Sequence, residues 1–239
     1  MLGVIINCAA VIVGVALGLI LKKFISKKLG DVLTIALALC ILYIGVSGAL
    51  ENTADFKTGE KLIVMIVATV LGAIIGTAID IDGKIMRLGK FLERKLVKNP
   101  DGKSTLALSF VSGTLILCVG AMGVVGSLDA GIKGDNSTLI AKAIIDLVST
   151  VVFVAAYGAG ILLSTASLFI YEGSLVLLAK LISPLLSATV VTEMSAVGSL
   201  LIIMLAFNML GITKIKIMNF IPAIFLPIGL CPLVELVLK

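Results

Sequence analysis

Apolar residues run through this chain in blocks of roughly 20, parted by short polar connectors. A helix needs about 20 apolar residues to cross the hydrocarbon core of a bilayer. Eight such blocks are read, at about 3–21, 32–50, 62–79, 105–127, 139–159, 164–182, 194–212 and 217–237. The short alternating segments of a membrane β-barrel are absent from the pattern. The predicted fold is therefore all-α: a polytopic helical membrane protein of about eight transmembrane helices, forming a single transmembrane domain over 1–239. Between the fifth and sixth blocks, "YGAGILLSTAS" (157–167) is barely polar, so seven spans with a re-entrant piece is the alternative there.

Composition agrees with the pattern. Of 239 residues, 60% are hydrophobic and 14% charged, where soluble domains run to about 45–50% and about 25%. The mean hydropathy is +1.25. No basic region precedes the first block, which reads as a span and not as a cleaved leader.

Basic residues set the orientation. Lys22, Lys23, Lys27 and Lys28 follow the first block, and Lys84, Arg87, Lys90, Arg94, Lys95, Lys98 and Lys103 follow the third. Lys214 and Lys216 follow the seventh. The even connectors carry few, so both termini are expected outside, with the basic connectors in the cytoplasm. The net charge of +5 follows from this topology, and no nucleic-acid partner is expected. Within 80–103, Ile85, Leu88, Leu92 and Leu96 share a helical face ringed by basic residues, which predicts a cytoplasmic amphipathic helix lying on the lipid surface.

The chain also resembles itself. "KFISKKL" (23–29) and "KLISPLL" (180–186) match at four of seven positions, and the segments that follow them align with a short gap. On that reading 1–80 and 161–239 are repeats of three helices each, flanking a central hairpin. With two spans between them, the second copy is inverted, a common construction in secondary transporters.

Ionisable groups inside apolar spans are costly and mark pathways or pairs. Asp146 and Glu172 lie about two turns into the fifth and sixth blocks, entering from opposite faces. Ser149 shares the Asp146 face, and Lys142 stands four residues before Asp146, at the spacing of a helical ion pair. Two readings stay open for Asp146: a local pair with Lys142, or a step in a solute path. Asn7, Asn208 and Asn219 have helix–helix ties as their plain role; Asn7 and Asn208 join the candidate pathway. Gly14–Gly18 and Gly72–Gly76 have the small-xxx-small spacing of close helix crossings. Pro222, Pro227 and Pro232 predict a kinked or unwound last span.

The stretch "CVGAMGVVGSLDAGIKGDNST" (118–138) places Gly120, Gly123 and Gly126 where the fourth span would bend. Beyond them Asp129, Lys133 and Asp135 form either a polar cap on a helical hairpin or an external vestibule for a small polar or cationic solute, with Asp146 below. Asp135, Asn136 or Ser137 would cap the next helix.

The chain lacks histidine, which removes HExxH metal sites and Ser–His dyads. Cys8, Cys40, Cys118 and Cys231 are scattered without metal-ligand spacing. Neither enzyme, metal nor cofactor is expected. The leading functional expectation is a transporter or channel for a small solute or ion. The alternative is a non-transporting assembly or sensor component acting through its basic helix. The partners expected are the lipid bilayer, the solute or ion and, given 24.8 kDa, further copies of the chain in a homo-oligomer.

"MLGVIINCAAVIVGVALG", "LCVGAMGVVGSLDAGIKGDNSTLIAKAIID", "YEGSLVLLA" and "NMLGITKIKIMNFIPA" together resemble the bacterial membrane-protein family of unknown function that includes YdfK and YqgA. The resemblance covers essentially the whole chain. It implies a multi-span inner-membrane protein, and implies Gln in relatives at the position of Glu172. It implies no activity.

Overall fold

A computed structural model describes residues 1–22, 24, 27–53, 59–85, 87, 91, 105–118 and 121–237. Among them all regular structure is helical. The helices are α1 (Leu2–Lys22), α2 (Lys27–Thr53), α3 (Gly59–Ile79), α4 (Thr105–Cys118), α5 (Ala121–Ile132), α6 (Ser137–Tyr157), α7 (Ile161–Ile182), α8 (Ala188–Met209), α9 (Ile221–Phe225) and α10 (Pro227–Val237), with 3-10 turns at Ser183–Leu185 and Ile217–Phe220.

Five described segments are long and apolar enough to cross a bilayer: Leu2–Lys22, Lys61–Ile79, Ser137–Ala155, Ile161–Leu181 and Ala188–Met209. Two more candidates are bent pairs. Ser109–Cys118 and Met122–Ile132 meet at 57°, and Ile217–Phe225 and Pro227–Val234 at 47°. The count is thus five, or seven with each pair as one span, and the apolar part of α2, Ala38–Thr53, is shorter. The weak boundary after the fifth block is a true break. Gly158 takes φ 89°, a left-handed backbone open to glycine, and two full-length helices flank the turn. Of the segment 80–103, only 80–85, 87 and 91 are described, so most of the expected amphipathic helix lies outside the described residues.

The chain packs as two compact units, one of Met1–Leu37, Gly83–Cys118 and Met122–Lys180, the other of Ala38–Asp82, Val119–Ala121 and Leu181–Lys239. In the first, α1 lies along α6. Gly3, Asn7, Val11, Gly14 and Gly18 are all buried and recur at the spacing of one helical face. Gly3 abuts Leu139, Gly14 abuts Leu147 and Thr150, and Gly18 abuts Val151 and Val154. The residue numbers rise together, so the two helices are parallel. A side chain at position 18 would put its Cβ 2.7 Å from that of Val154, which is why glycine stands there. α7 runs against α1 in the opposite sense, with Gly173 near Met1 and the Cys8 thiol near the Thr165 carbonyl. α4 lies parallel to α7, where the Ser164 hydroxyl donates to the Phe110 carbonyl at 2.8 Å.

The surface of this bundle inverts the pattern of a soluble protein. On α6, Lys142 and Asp146 are only 6% and 5% exposed, while Ile144 is 66% exposed and Ile145 and Val148 stand open beside it. Polar groups inside and aliphatic groups outside fit a hydrocarbon solvent.

In the second unit α8 is nearly enclosed, with thirteen residues from Val190 to Ala206 buried. Ser187 caps it, its hydroxyl accepting from the Val190 amide at 3.3 Å. α2 meets it through Gly45 against Ile203 and Gly48 against Ser199. α3 crosses the backbone of Ala223 and Asn219 through Gly72 and Gly76, the close approach their spacing predicts. Pro222 sits in the first turn of α9, where no amide donor is needed. Pro227 opens α10 at the bend and Pro232 lies within it, as the proline pattern anticipates.

Candidate functional site

Four helical segments of the first unit converge on one buried polar cluster. Lys142, from the second turn of α6, reaches Asp146 on the same helix, and the two form a short ion pair. The same ammonium lies 3.4 Å from Glu172 Oε1 on α7. It also donates to the Leu117 carbonyl in the last turn of α4, at 2.8 Å. Asn7 of α1 closes the ring, its amide nitrogen 3.2 and 3.3 Å from the two Glu172 oxygens. Glu172 and Asn7 are fully enclosed. Gly123 of α5 borders the cluster, where a Cβ would meet Glu172 and Lys142 at 3.6 Å.

Each member is there for a local reason. Lys142 and Asp146 stand one helical turn apart on a face that would otherwise be apolar, so each is the other's nearest partner. Leu117 offers a free carbonyl because α4 ends at Cys118, and the last carbonyls of a helix lack an amide four residues on. Irregular backbone at membrane depth persists only against protein or a wet cavity, and here the protein supplies an ammonium. Among the described residues, Asn7 Oδ1 has no hydrogen-bond partner, nor do the Thr150 and Thr165 hydroxyls nearby on α6 and α7. One oxygen facing the cluster region thus stays uncommitted.

The sequence placed Asp146 and Glu172 on facing helices, and the structure brings them to one cation together with Asn7. Ser149 is set apart: it lines a small pocket with Thr150, Gly113, Ile116, Leu117, Phe153 and Ile161. Leu117 belongs to both places, lining the pocket and giving its carbonyl to Lys142. Asn208 is not deep in a span. It lies one residue before the end of α8, in the second unit, because that helix starts and stops earlier than the apolar block suggests. Its amide nitrogen donates to the Ile215 carbonyl at 2.7 Å, and its oxygen accepts from the Thr213 hydroxyl and the Ile215 amide. Asn208 ties a turn. Asn219 does similar work, accepting from the Asp82 amide at 2.8 Å.

Asp129, in the last turn of α5, and the loop residues Lys133 and Asp135 form a hairpin cap. Lys133 pairs with Asp129 at 2.7 Å, one turn back. Asp135 accepts from the Ser137 amide at 2.9 Å, at the start of α6. The hydrogen bond and charge of Asp129 hold Lys133 above its ordinary range, and the Ser137 amide holds Asp135 below the usual carboxylate range. Asn136 occupies the cap position of α6, yet its side-chain oxygen accepts from Gly3 N at 2.9 Å and so serves the first turn of α1.

Two participants escaped the sequence reading. The Leu117 carbonyl is backbone, made available only by the helix break, and the glycines after it were the available sign. Glu193 falls in a connector when the seventh block is read from 194. The Ser187 cap ahead of Val190 and Val191 was the signal that α8 starts earlier, and it puts a fully enclosed carboxyl in the second turn of that helix.

Comparison with known proteins agrees on the kind of molecule. Residues 2–231 match a family model described as "Protein of unknown function (DUF554)". The chain is 27% identical over 227 residues to the uncharacterized membrane protein YdfK of Bacillus subtilis (strain 168), covering 95% of this chain and 94% of that one. It is 28% identical over 232 residues to the uncharacterized protein YqgA of Escherichia coli (strain K12), covering 96% and 95%. No solved structure matches. With apolar helices along its length and a match spanning nearly all of it, this chain belongs to the DUF554 family.

Proposed function

We propose that this protein is a carrier for a small cation, protons included, in the bacterial cytoplasmic membrane, and that the Asn7–Lys142–Asp146–Glu172 cluster is where the cargo binds. One observation carries the reading: two enclosed carboxylates and a broken-helix carbonyl converge on a single ammonium. With all three side chains ionised, the cluster holds one negative charge in excess, and an uncompensated buried charge costs several kcal/mol, on the order of 3–5. A second positive charge, as a proton or a small cation, offsets that cost. The donor set is oxygen throughout, the kind that hard cations prefer. Helix ends that present carbonyls to a cation at mid-membrane are a recurring transporter device.

The cluster is closed, its four side chains each less than a tenth exposed, so a carrier that opens in turn to either side fits better than a standing channel. The parallel pairing of α1 and α6 supports the topology. If α2, α3 and the bent pair α4–α5 each cross once, α1 and α6 descend in the same direction. An even total then puts both termini on one side, and the basic connectors make that side extracytoplasmic.

A second reading has its own support. The four side chains largely satisfy one another, as in a dry bundle whose charges only fix helix register, and the protein would then be a non-transporting component. Purified protein in vesicles, offered a panel of protons and alkali cations across a gradient, separates the two. Carriage of at least one cation above empty vesicles supports the first, and a uniformly silent panel from folded protein supports the second.

A further inference from the structure

Glu193 lies in the second unit, on none of the helices that build the cluster. It is fully enclosed, and among the described residues neither carboxyl oxygen has a hydrogen-bond partner. Its surroundings offer little to a charge. From α3 the charged group facing it is Lys61, which forms no ion pair with it among the described residues. α9 contains no titratable residue, and the 3-10 turn at Ile217–Phe220 none either. On α10 the described titratable group is Cys231, buried in an apolar cluster with Val64, Val190 and Met194. On α2 the described ones, Cys40, Tyr43 and Glu51, are exposed.

A carboxylate shut from water, with no hydrogen-bond donor or ion pair on either oxygen among the described residues, is strongly disfavoured; the neutral acid is the form such a place accepts. Ionisable groups at this depth are retained for proton or ion handling more readily than for packing. We propose that Glu193 is a proton-binding site of the second unit, holding its proton while α8 is enclosed and releasing it when that packing opens to water or to the Lys61 ammonium. Release breaks only the O–H bond: the proton passes to water, the electron pair stays on the carboxylate, and Lys61 is the nearest charge to stabilise it. The site stands independently of the Lys142 cluster.

Infrared spectroscopy of the full chain in lipid films tests this. At neutral pH the wild-type spectrum should contain the carbonyl band of a protonated carboxyl that is lost in Glu193→Gln and retained in Asp146→Asn. In D2O the band should shift to lower frequency as openings exchange the proton. Absence of the band, or a Glu193→Gln spectrum that loses no component of it, overturns the proposal, and a Glu193 component that never shifts in D2O overturns the release step. Should Glu193→Gln not fold, Glu172→Gln protein with 13C-labelled glutamate carboxyls gives the same reading: an isotope-shifted protonated band is expected, and its absence overturns the site.

Discussion

The Lys142 ammonium lies 2.8 Å from the carbonyl oxygen of Leu117, on a helix that stops one residue later. That contact joins two features that are each costly alone: a lysine at membrane depth and a broken helix end without amide donors. Together with Asp146 and Glu172, it makes Lys142 the centre of the first unit. Replacing Lys142 with Met should strand both carboxylates, a loss of about 3–5 kcal/mol for a broken buried pair. Thermal unfolding in detergent would show a large drop, which Lys142→Met/Asp146→Asn/Glu172→Gln should largely restore. Equal melting of Lys142→Met and wild type would show that the pairing contributes nothing.

The α1–α6 crossing depends on glycine. Gly14→Ala and Gly18→Ala place a Cβ at 2.9 Å from the Leu147 carbonyl and 2.7 Å from Val154 Cβ, and overpacking of this kind costs about 1–3 kcal/mol. Gly173→Ala, whose Cβ would meet Met1 at an ordinary 3.8 Å, is the matched control and should melt within error of wild type. A control as damaged as the other two variants would mean that helix glycine as such, and not close approach, governs stability.

Much of this fold was legible in the chain. Block lengths near 20 residues gave the spans, the Gly14–Gly18 and Gly72–Gly76 spacings gave two crossings, and the prolines gave the last bend. The Lys142–Asp146 pair is a same-helix spacing and could be read directly. Glu172 could only be placed on a facing helix, because which residues meet across a bundle depends on rotation about each axis. The Leu117 carbonyl and the Asn136–Gly3 bond were hidden, since backbone donors and acceptors carry no residue identity. Asn208 misled because an apolar run blurs where a helix ends, and one amide can serve a pathway or a turn.

Asn208 offers a clean separation of those two roles. Asn208→Ala removes three hydrogen bonds across the turn at 213–215, at a cost of about 2 kcal/mol in total. Hydrogen exchange should quicken at Ile215, while cation flux per folded molecule should stay at the wild-type rate. Flux lost with the turn intact would instead return Asn208 to the pathway.

The hairpin cap should respond to acid. Asp135 is held below its ordinary range by the Ser137 amide, so its contribution is present at neutral pH and is lost as pH falls through that lowered value. Lys133 is held above its range, so its pairing with Asp129 persists at neutral pH and, on the alkaline side, is lost as pH rises through the raised value. Carboxyl-carbon NMR of the labelled aspartates in detergent should show Asp135 titrating below an exposed reference carboxylate. An ordinary midpoint for Asp135 would show that the Ser137 amide does not hold it.

If the enclosed carboxylates bind a cargo cation, cation uptake by vesicles holding equal amounts of folded wild type and Asp146→Asn will differ. Asp146→Asn should lower uptake about tenfold or more, the equivalent of roughly 1.4 kcal/mol of lost stabilisation of the translocated ion. Uptake at the wild-type rate from the Asp146→Asn/Glu172→Gln double variant would contradict that binding.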